Sequence, residues 1–177
     1  MVYETRRIFR NKATSQNIVR ELLQSVFLTE LVAPSDQRVW LVSAWISNIA
    51  VVDNRSGTFN AIGPDWGHRE VRLAELAIDL IARGAHVGIV TNFERHNDAF
   101  LYEAKTLATD RGLQSGLFIK QQKNFHTKGI LTSRGLISGS MNLTYNGLEI
   151  NDETITFDIG SRELASARLN FETYAGI

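Results

Sequence analysis

The chain predicts an α/β fold, a mixed and largely parallel sheet with helices on both faces. Residues 39–46, VWLVSAWI, are β-formers on both faces, the pattern of a central strand covered above and below. Helical spacing over 71–81 is followed by a short apolar run at 86–91, the strand, helix, strand order of a right-handed parallel crossover. Helical and extended patterns keep alternating to Phe171. With 177 residues and 44% hydrophobic content, the chain has room for one well-cored domain spanning 1–177 and too little for two.

Along the chain, a basic start (Arg6, Arg7, Arg10, Lys12) precedes Ile18, Val19, Leu22, Leu23, Val26 and Phe27, which recur as on one helix face. Thr14 or Ser15 would cap that helix, which should end before Pro34. After the central strand, 52–67 is rich in Gly, Asp and Asn, a turn-forming composition expected at the mouth of the sheet as part of a substrate rim. Val71, Ala74, Leu76, Ala77, Ile78, Leu80 and Ile81 predict the second helix, with Gly84 as a left-handed cap. The strand at 86–91 leads to a third helix over 94–111, ended by Gly112, and to a strand near 117–120. Ser133-Arg134-Gly135 reads as the turn of a hairpin whose second arm begins at Leu136. A strand over 155–159 and a final helix from Ser161, with Leu164, Leu169 and Phe171 on one side, complete the layers.

The formal net charge is zero, so no basic field covers the whole molecule, and any anion-binding patch must be local. Lys120, Lys123 and Lys128 gather in one stretch. There is no cysteine, which excludes disulfides and thiolate metal sites and favours the cytoplasm. No apolar run approaches the roughly 18 residues that span a bilayer, and no leader-like apolar core follows the N-terminal charges. No metal-ligand cluster and no cofactor motif is legible, so none is expected.

The chemistry concentrates between Phe125 and Glu153. His126 and Lys128 are two apart in a β-rich run, so on a strand they share a face. Ser140 and Asn142 are likewise two apart and follow the next apolar triplet, so a hairpin would bring the two pairs together. Imidazole can serve as nucleophile or acid near neutral pH, Lys neutralises a phosphoryl oxygen, and Ser and Asn add neutral hydrogen bonds. Such a set reads as a phosphodiester-cleaving site. His96, with Arg95 and Asn97, follows a predicted parallel strand on the side where open α/β sheets bind ligands, which makes Arg95, His96 and Lys123 candidate substrate contacts. His68 and His86 read as structural or exposed. Trp40 and Trp45 read as core, and Trp66, in a Gly-rich loop, as the tryptophan that would stack on a base.

His126-x-Lys128, then Gly139-Ser140-x-Asn142, then Glu153, in that order, resembles the phospholipase D superfamily. The resemblance implies a phospholipase D-like lobe, with His126 as nucleophile or acid, Lys128 and Asn142 as phosphate ligands, Ser140 as an auxiliary hydrogen bonder and Glu153 as the carboxylate orienting histidine. The family usually places Asp seven residues after its His, where this chain has Ser133, and Gly-Ser comes about one residue early. In the family that Asp is thought to brace the turn, so the departure bears on local geometry before it bears on chemistry.

Many members carry two His-x-Lys copies, and this chain carries one. The family's route uses two imidazoles on opposite sides of phosphorus, so a twofold homodimer sharing one cleft is expected, with no metal. The function implied first is a metal-independent DNA nuclease working through a phosphohistidine, in the setting of bacterial restriction or defence and with protein partners from a defence or DNA-modification system. Phospholipid hydrolysis or transfer would use the same centre but finds no membrane-binding segment here. A catalytically weak DNA-binding scaffold subunit is the third reading, suggested by Ser133.

Overall fold

A computed structural model describes residues 4–11 and 17–176. Lys12 and the expected caps Thr14 and Ser15 lie outside the described residues. Among those described, nine strands and four α-helices follow one another as β1 (Thr5–Arg10), α1 (Ile18–Val32), β2 (Val39–Val42), β3 (Ala50–Asp53), β4 (Glu70–Arg72), α2 (Leu73–Ala82), β5 (Val87–Thr91), α3 (Asp98–Asp110), β6 (Leu117–Gln121), β7 (Gly129–Leu131), β8 (Leu136–Gly139), β9 (Glu153–Asp158) and α4 (Ser161–Glu172). Seven of the strands form one sheet in the order β1-β9-β8-β7-β2-β5-β6.

The mixed α/β class holds, but the sheet is not largely parallel. Among the described strands, only β2–β5 and β5–β6 pair in parallel. The β1–β9, β9–β8, β8–β7 and β7–β2 pairs are antiparallel. Connection length explains the split. Strand β5 is reached through α2 and β6 through α3, long enough for crossovers, whereas β7 and β8 are joined by the tight 132–135 turn, which returns the chain antiparallel.

Helices cover both faces, as the sequence predicts. Leu23, Phe27, Leu76, Leu80, Phe100 and Ala104, from α1, α2 and α3, pack with Leu41, Ile89 and Ile130 from one side of the sheet. Alternate residues Trp40, Val42, Val90 and Leu131 point the other way and pack with Phe125 and with Phe171 of α4. Burying a side chain the size of Phe27 or Leu41 contributes about 1.5–3 kcal/mol, and all four residues of β2 are buried, so both faces of this strand contribute. Trp40 is tied at its polar edge as well, since its Nε1 donates to Glu172 Oε1 at 3.0 Å while Arg38, paired with Glu172 at 2.8 Å, lies over its ring.

Several local expectations are corrected. The basic start is an edge strand, β1, with Arg10 buried opposite Glu153. Residues 52–67 are no rim: β3 and β4 pair as a separate two-stranded sheet, and the loop between them packs on itself through Asn54 and Asn60. Trp66 is 3% exposed and donates to Asp79 Oδ2 at 2.7 Å, whereas Trp45 is 51% exposed. In α4, Leu164 and Phe171 face the sheet but Leu169 is 76% exposed. At about 100° per residue, Leu169 is turned roughly 140° from Leu164, while Phe171 returns to within about 20°. Gly84 and Gly112 have φ of 96° and 67°, which suits the helix ends they follow.

Candidate active site at one edge of the sheet

Strand direction places the functional residues. The parallel strands β2, β5 and β6 end at the same edge, delivering Ala44-Trp45, Asn92-Phe93 and Lys123-Asn124 there. Because β7 is antiparallel to β2, its beginning lies at that edge, and with it His126 and Lys128. Strand β8 reverses again, so its end presents Ser140 and Asn142. Strand β9 reverses once more, so Glu153, its first residue, is there too. Residues scattered from 44 to 153 thus form one row.

A cleft of about 380 Å³ opens in that row, lined among others by Trp45, Phe93, Lys123, His126, Lys128 and Asn142. His126 and Lys128 sit just before β7 rather than inside it, and Lys128 Nζ donates to the His126 carbonyl at 2.7 Å. Two features hold this segment. Phe125 is buried edge-on against Tyr174, with centroids 5.6 Å apart. Asn124 takes a left-handed φ of 54°, a conformation Asn tolerates better than most side chains, and so turns the chain out of the preceding loop. The third lysine of the cluster is structural, since Lys120 Nζ donates to the Tyr174 carbonyl at 2.9 Å.

Asn142 is oriented by its surroundings. Its Oδ1 accepts from the Trp45 backbone N–H at 3.3 Å, and Ser43 Oγ lies 3.4 Å away. Ser43 Oγ also accepts from the Leu143 N–H at 3.0 Å. With the amide oxygen taken, the NH₂ end is what Asn142 can offer an anion. Buried Asn97 completes the frame: its Nδ2 donates to the Ala44 carbonyl at 3.1 Å and its Oδ1 accepts from the Ile46 N–H at 2.8 Å. The reading of Asn97 as only a neighbour of His96 missed this clamp. Its sole sequence signal was a short amide just after a strand.

Other expected site residues lie beside the cleft. Buried Glu153 accepts a short hydrogen bond from Ser140 Oγ and a 3.4 Å contact from Asn151 Nδ2. Ser140 Oγ in turn accepts from the Thr154 N–H at 3.0 Å. The histidine-orienting contact expected of Glu153 is not made within the chain, because β8 lies between β9 and β7, a separation of roughly 10 Å at the usual strand spacing. Arg95 and His96 are exposed at the helical turn before α3 and do not line the cleft. His96 Nε2 is 2.7 Å from Ser47 Oγ, and its ring sits 6.5 Å from that of Trp45.

The turn that lacks the family's Asp has a carboxylate from elsewhere. Glu30 of α1, fully buried, brings Oε2 to 2.8 Å from Ser133 Oγ, 3.3 Å from the Ser133 N–H and 3.3 Å from Arg134 Nη1. Arg168 of α4 donates to the Thr132 carbonyl at 2.9 Å from the other side, and burial lowers its pKa against the opposing pull of Glu172 and Glu30. Glu30 is one helical residue among others in sequence, and no local pattern marks it. Among the described residues there is no group of three or more His, Cys, Asp or Glu that could hold a metal ion, and no helix long and apolar enough to cross a membrane.

A family model described as cardiolipin synthase, PLD-like domain, matches residues 60–174, which contain the whole stretch from Phe125 to Glu153. Among solved structures, the chain resembles Nuc from Salmonella typhimurium, a phospholipase D family member, with TM-score 0.56 and 14% identity over 97% of this chain and 93% of that one. It resembles NucT from Helicobacter pylori with TM-score 0.53 and 13% identity over 98% and 97% of the two chains. A third, TrmBL2, an archaeal chromatin protein with a novel mode of DNA binding, gives TM-score 0.55 and 12% identity over 99% of this chain and 53% of its own. At such identities the likeness is one of fold. No curated protein sequence matches the chain.

Proposed function

The chain belongs to the family of phospholipase D-like domains, and from that premise we propose that it is a metal-independent phosphodiesterase that cleaves DNA. The observation that carries the reading is the convergence of His126, Lys128 and Asn142 on one open cleft at the sheet edge. Imidazole, ammonium and an amide NH₂ are what a phosphodiester needs: a nucleophile, a counter-charge and a neutral donor for the phosphoryl oxygens.

In the proposed reaction a ring nitrogen of His126 attacks phosphorus, and the bond from phosphorus to the leaving oxygen breaks. That oxygen takes its proton from a second imidazole on the opposite side. Water then attacks phosphorus as the second imidazole takes back a proton, and the phosphorus–nitrogen bond breaks to release His126. Lys128 and Asn142 hold the non-bridging oxygens throughout. Ser140 and Glu153 act as a bonded pair that positions the end of β8, from which Asn142 projects. The second imidazole is His126 of another copy, which makes the working unit a twofold homodimer with one shared cleft. DNA as the substrate agrees with the fold shared with a DNA-binding chromatin protein, and a restriction or defence setting, with its protein partners, belongs to the same proposal.

Plasmid and short single strands incubated with purified protein and a chelator test this directly. Cutting should persist with the chelator and vanish in His126→Ala. Chelator-sensitive cutting, or cutting that survives the substitution, rejects the mechanism, and turnover of phosphatidylcholine without DNA cleavage rejects the substrate. Sedimentation should find two chains per particle.

A further inference from the structure

The cleft has an aromatic half that the chemistry above leaves unused. Trp45, at the end of β2, is 51% exposed, and Phe93, at the end of β5, is 61% exposed. Both line the cleft together with His126, Lys128 and Lys123. Large aromatic rings left in water are unfavourable unless something covers them. The Trp45 backbone is held in place, fixed at its N–H by Asn142 and at its carbonyl by Ser43 Oγ, at 2.7 Å. The side chain is therefore presented by the same amide that lines the phosphate end.

Order along the edge gives the row a direction. Counting from β7 with His126 and Lys128, the next strand over carries Trp45, the next Phe93 and the next Lys123. At about 4.8 Å per strand these lie roughly 5, 10 and 14 Å from the reacting end. Cation, ring, ring, cation is the sequence of contacts that a nucleic-acid strand offers when its bases are unpaired and free to stack while its phosphates seek Lys. One carboxylate, Glu94, also lines the cleft and stands against two lysines. A duplex keeps its bases stacked inside and would leave both rings without partners.

We propose that Trp45 and Phe93 form a stacking platform for unpaired bases flanking the scissile phosphate, with Lys123 holding a neighbouring phosphate, so that the substrate is single-stranded. This rests on the phosphodiesterase reading for the identity of the scissile group, but the stacking itself is measured by binding. The occupant competing for these rings is a second copy of the chain.

The experiment uses the full chain, with binding measured in a His126→Ala background to prevent turnover. Three probes are compared by fluorescence anisotropy: labelled oligothymidylate, a fully abasic strand of equal length, and the oligothymidylate paired with its complement. Trp45→Ala and Phe93→Ala should each weaken oligothymidylate binding by about 5- to 150-fold and leave abasic binding unchanged, while Trp45→Phe keeps the affinity. Tryptophan emission gives a second readout, because Trp40 and Trp66 are buried and base quenching should come from Trp45 and disappear in Trp45→Phe. Equal binding of the strands with and without bases, equal losses on both, or preference for the duplex would overturn the proposal. So would conversion of a dimer to monomers by Trp45→Ala, which would assign the rings to a subunit seam. If the chain with His126 intact cuts neither strand, the phosphodiesterase reading fails by itself, and the binding contrast still decides the stacking.

Discussion

Replacing Ser133 by the aspartate that the phospholipase D resemblance leads one to expect should destabilise this protein, and the same change should become harmless once Glu30 is neutralised. Glu30 Oε2 lies 2.8 Å from Ser133 Oγ and is fully buried, so a carboxylate introduced at position 133 would stand against a second carboxylate. Two like charges about 4 Å apart repel by about 4 kcal/mol at an effective dielectric of about 20, and the half-exposed Arg134 guanidinium offsets part of that, leaving about 2–3 kcal/mol lost in Ser133→Asp. Glu30→Gln turns charge-assisted hydrogen bonds into neutral ones, a loss of about 1–2 kcal/mol. In the double variant the amide introduced on α1 donates to the carboxylate introduced in the turn, so the two changes should offset each other by at least about 2 kcal/mol relative to their sum. Urea unfolding of the four proteins, followed by circular dichroism, gives the coupling energy. Additivity within about 0.5 kcal/mol would mean that the two positions do not share one carboxylate site, and would refute the claim that Glu30 replaces the missing Asp.

Two further outcomes follow from the same contacts. Asn142→Asp keeps an oxygen for the Trp45 N–H but puts a carboxylate where an amide donor faces the anion; it should lower kcat on cleaved strands by roughly 10²- to 10³-fold while unfolding stays within about 0.5 kcal/mol of wild type. For Glu75, burial pushes the carboxyl up, but Arg69 and the Arg72 backbone N–H outweigh it and the folded pKa lies below the ordinary value. A depressed folded value means stability that is present above the unfolded pKa and is lost as pH falls through the folded one. Glu75→Gln should therefore cost about 0.2–1 kcal/mol at pH 7, with the urea midpoints of variant and wild type converging as pH drops below the carboxylate range; parallel curves would refute this.

Much of the fold was legible in short-range patterns. The apolar spacing of α1 and α2, the run of β-formers at β2, and the turn chemistry of 133–135 are local signals, and each element formed close to its expected place. The hairpin that sets His126-x-Lys128 beside Ser140 and Asn142 was legible for the same reason, since its pairing spans few residues. What failed was non-local. Strand β1 reads as a basic cluster because it is an edge strand, and only pairing with β9, over 140 residues away, buries Ile8 and Arg10. Trp66 is buried and Trp45 exposed, the reverse of what their neighbours suggested, because composition shows that a tryptophan is apolar and not which side of a turn it leaves by.

Residue order was enough to set the family and the inventory of the candidate site: an imidazole, an ammonium and an amide, at spacings that a hairpin can bring together. Periodicity also marked which faces are apolar, because a side chain's direction along a strand or helix depends on its own position in the repeat. Packing in three dimensions was needed to establish which strands run antiparallel, that Glu153 meets Ser140 across one strand rather than His126 across two, and that Glu30 of the first helix supplies the turn at Ser133 with its carboxylate. Those outcomes depend on the packing order of elements distant in the chain, which is set by how helices and sheet bury their apolar faces together, and no local repeat records that order.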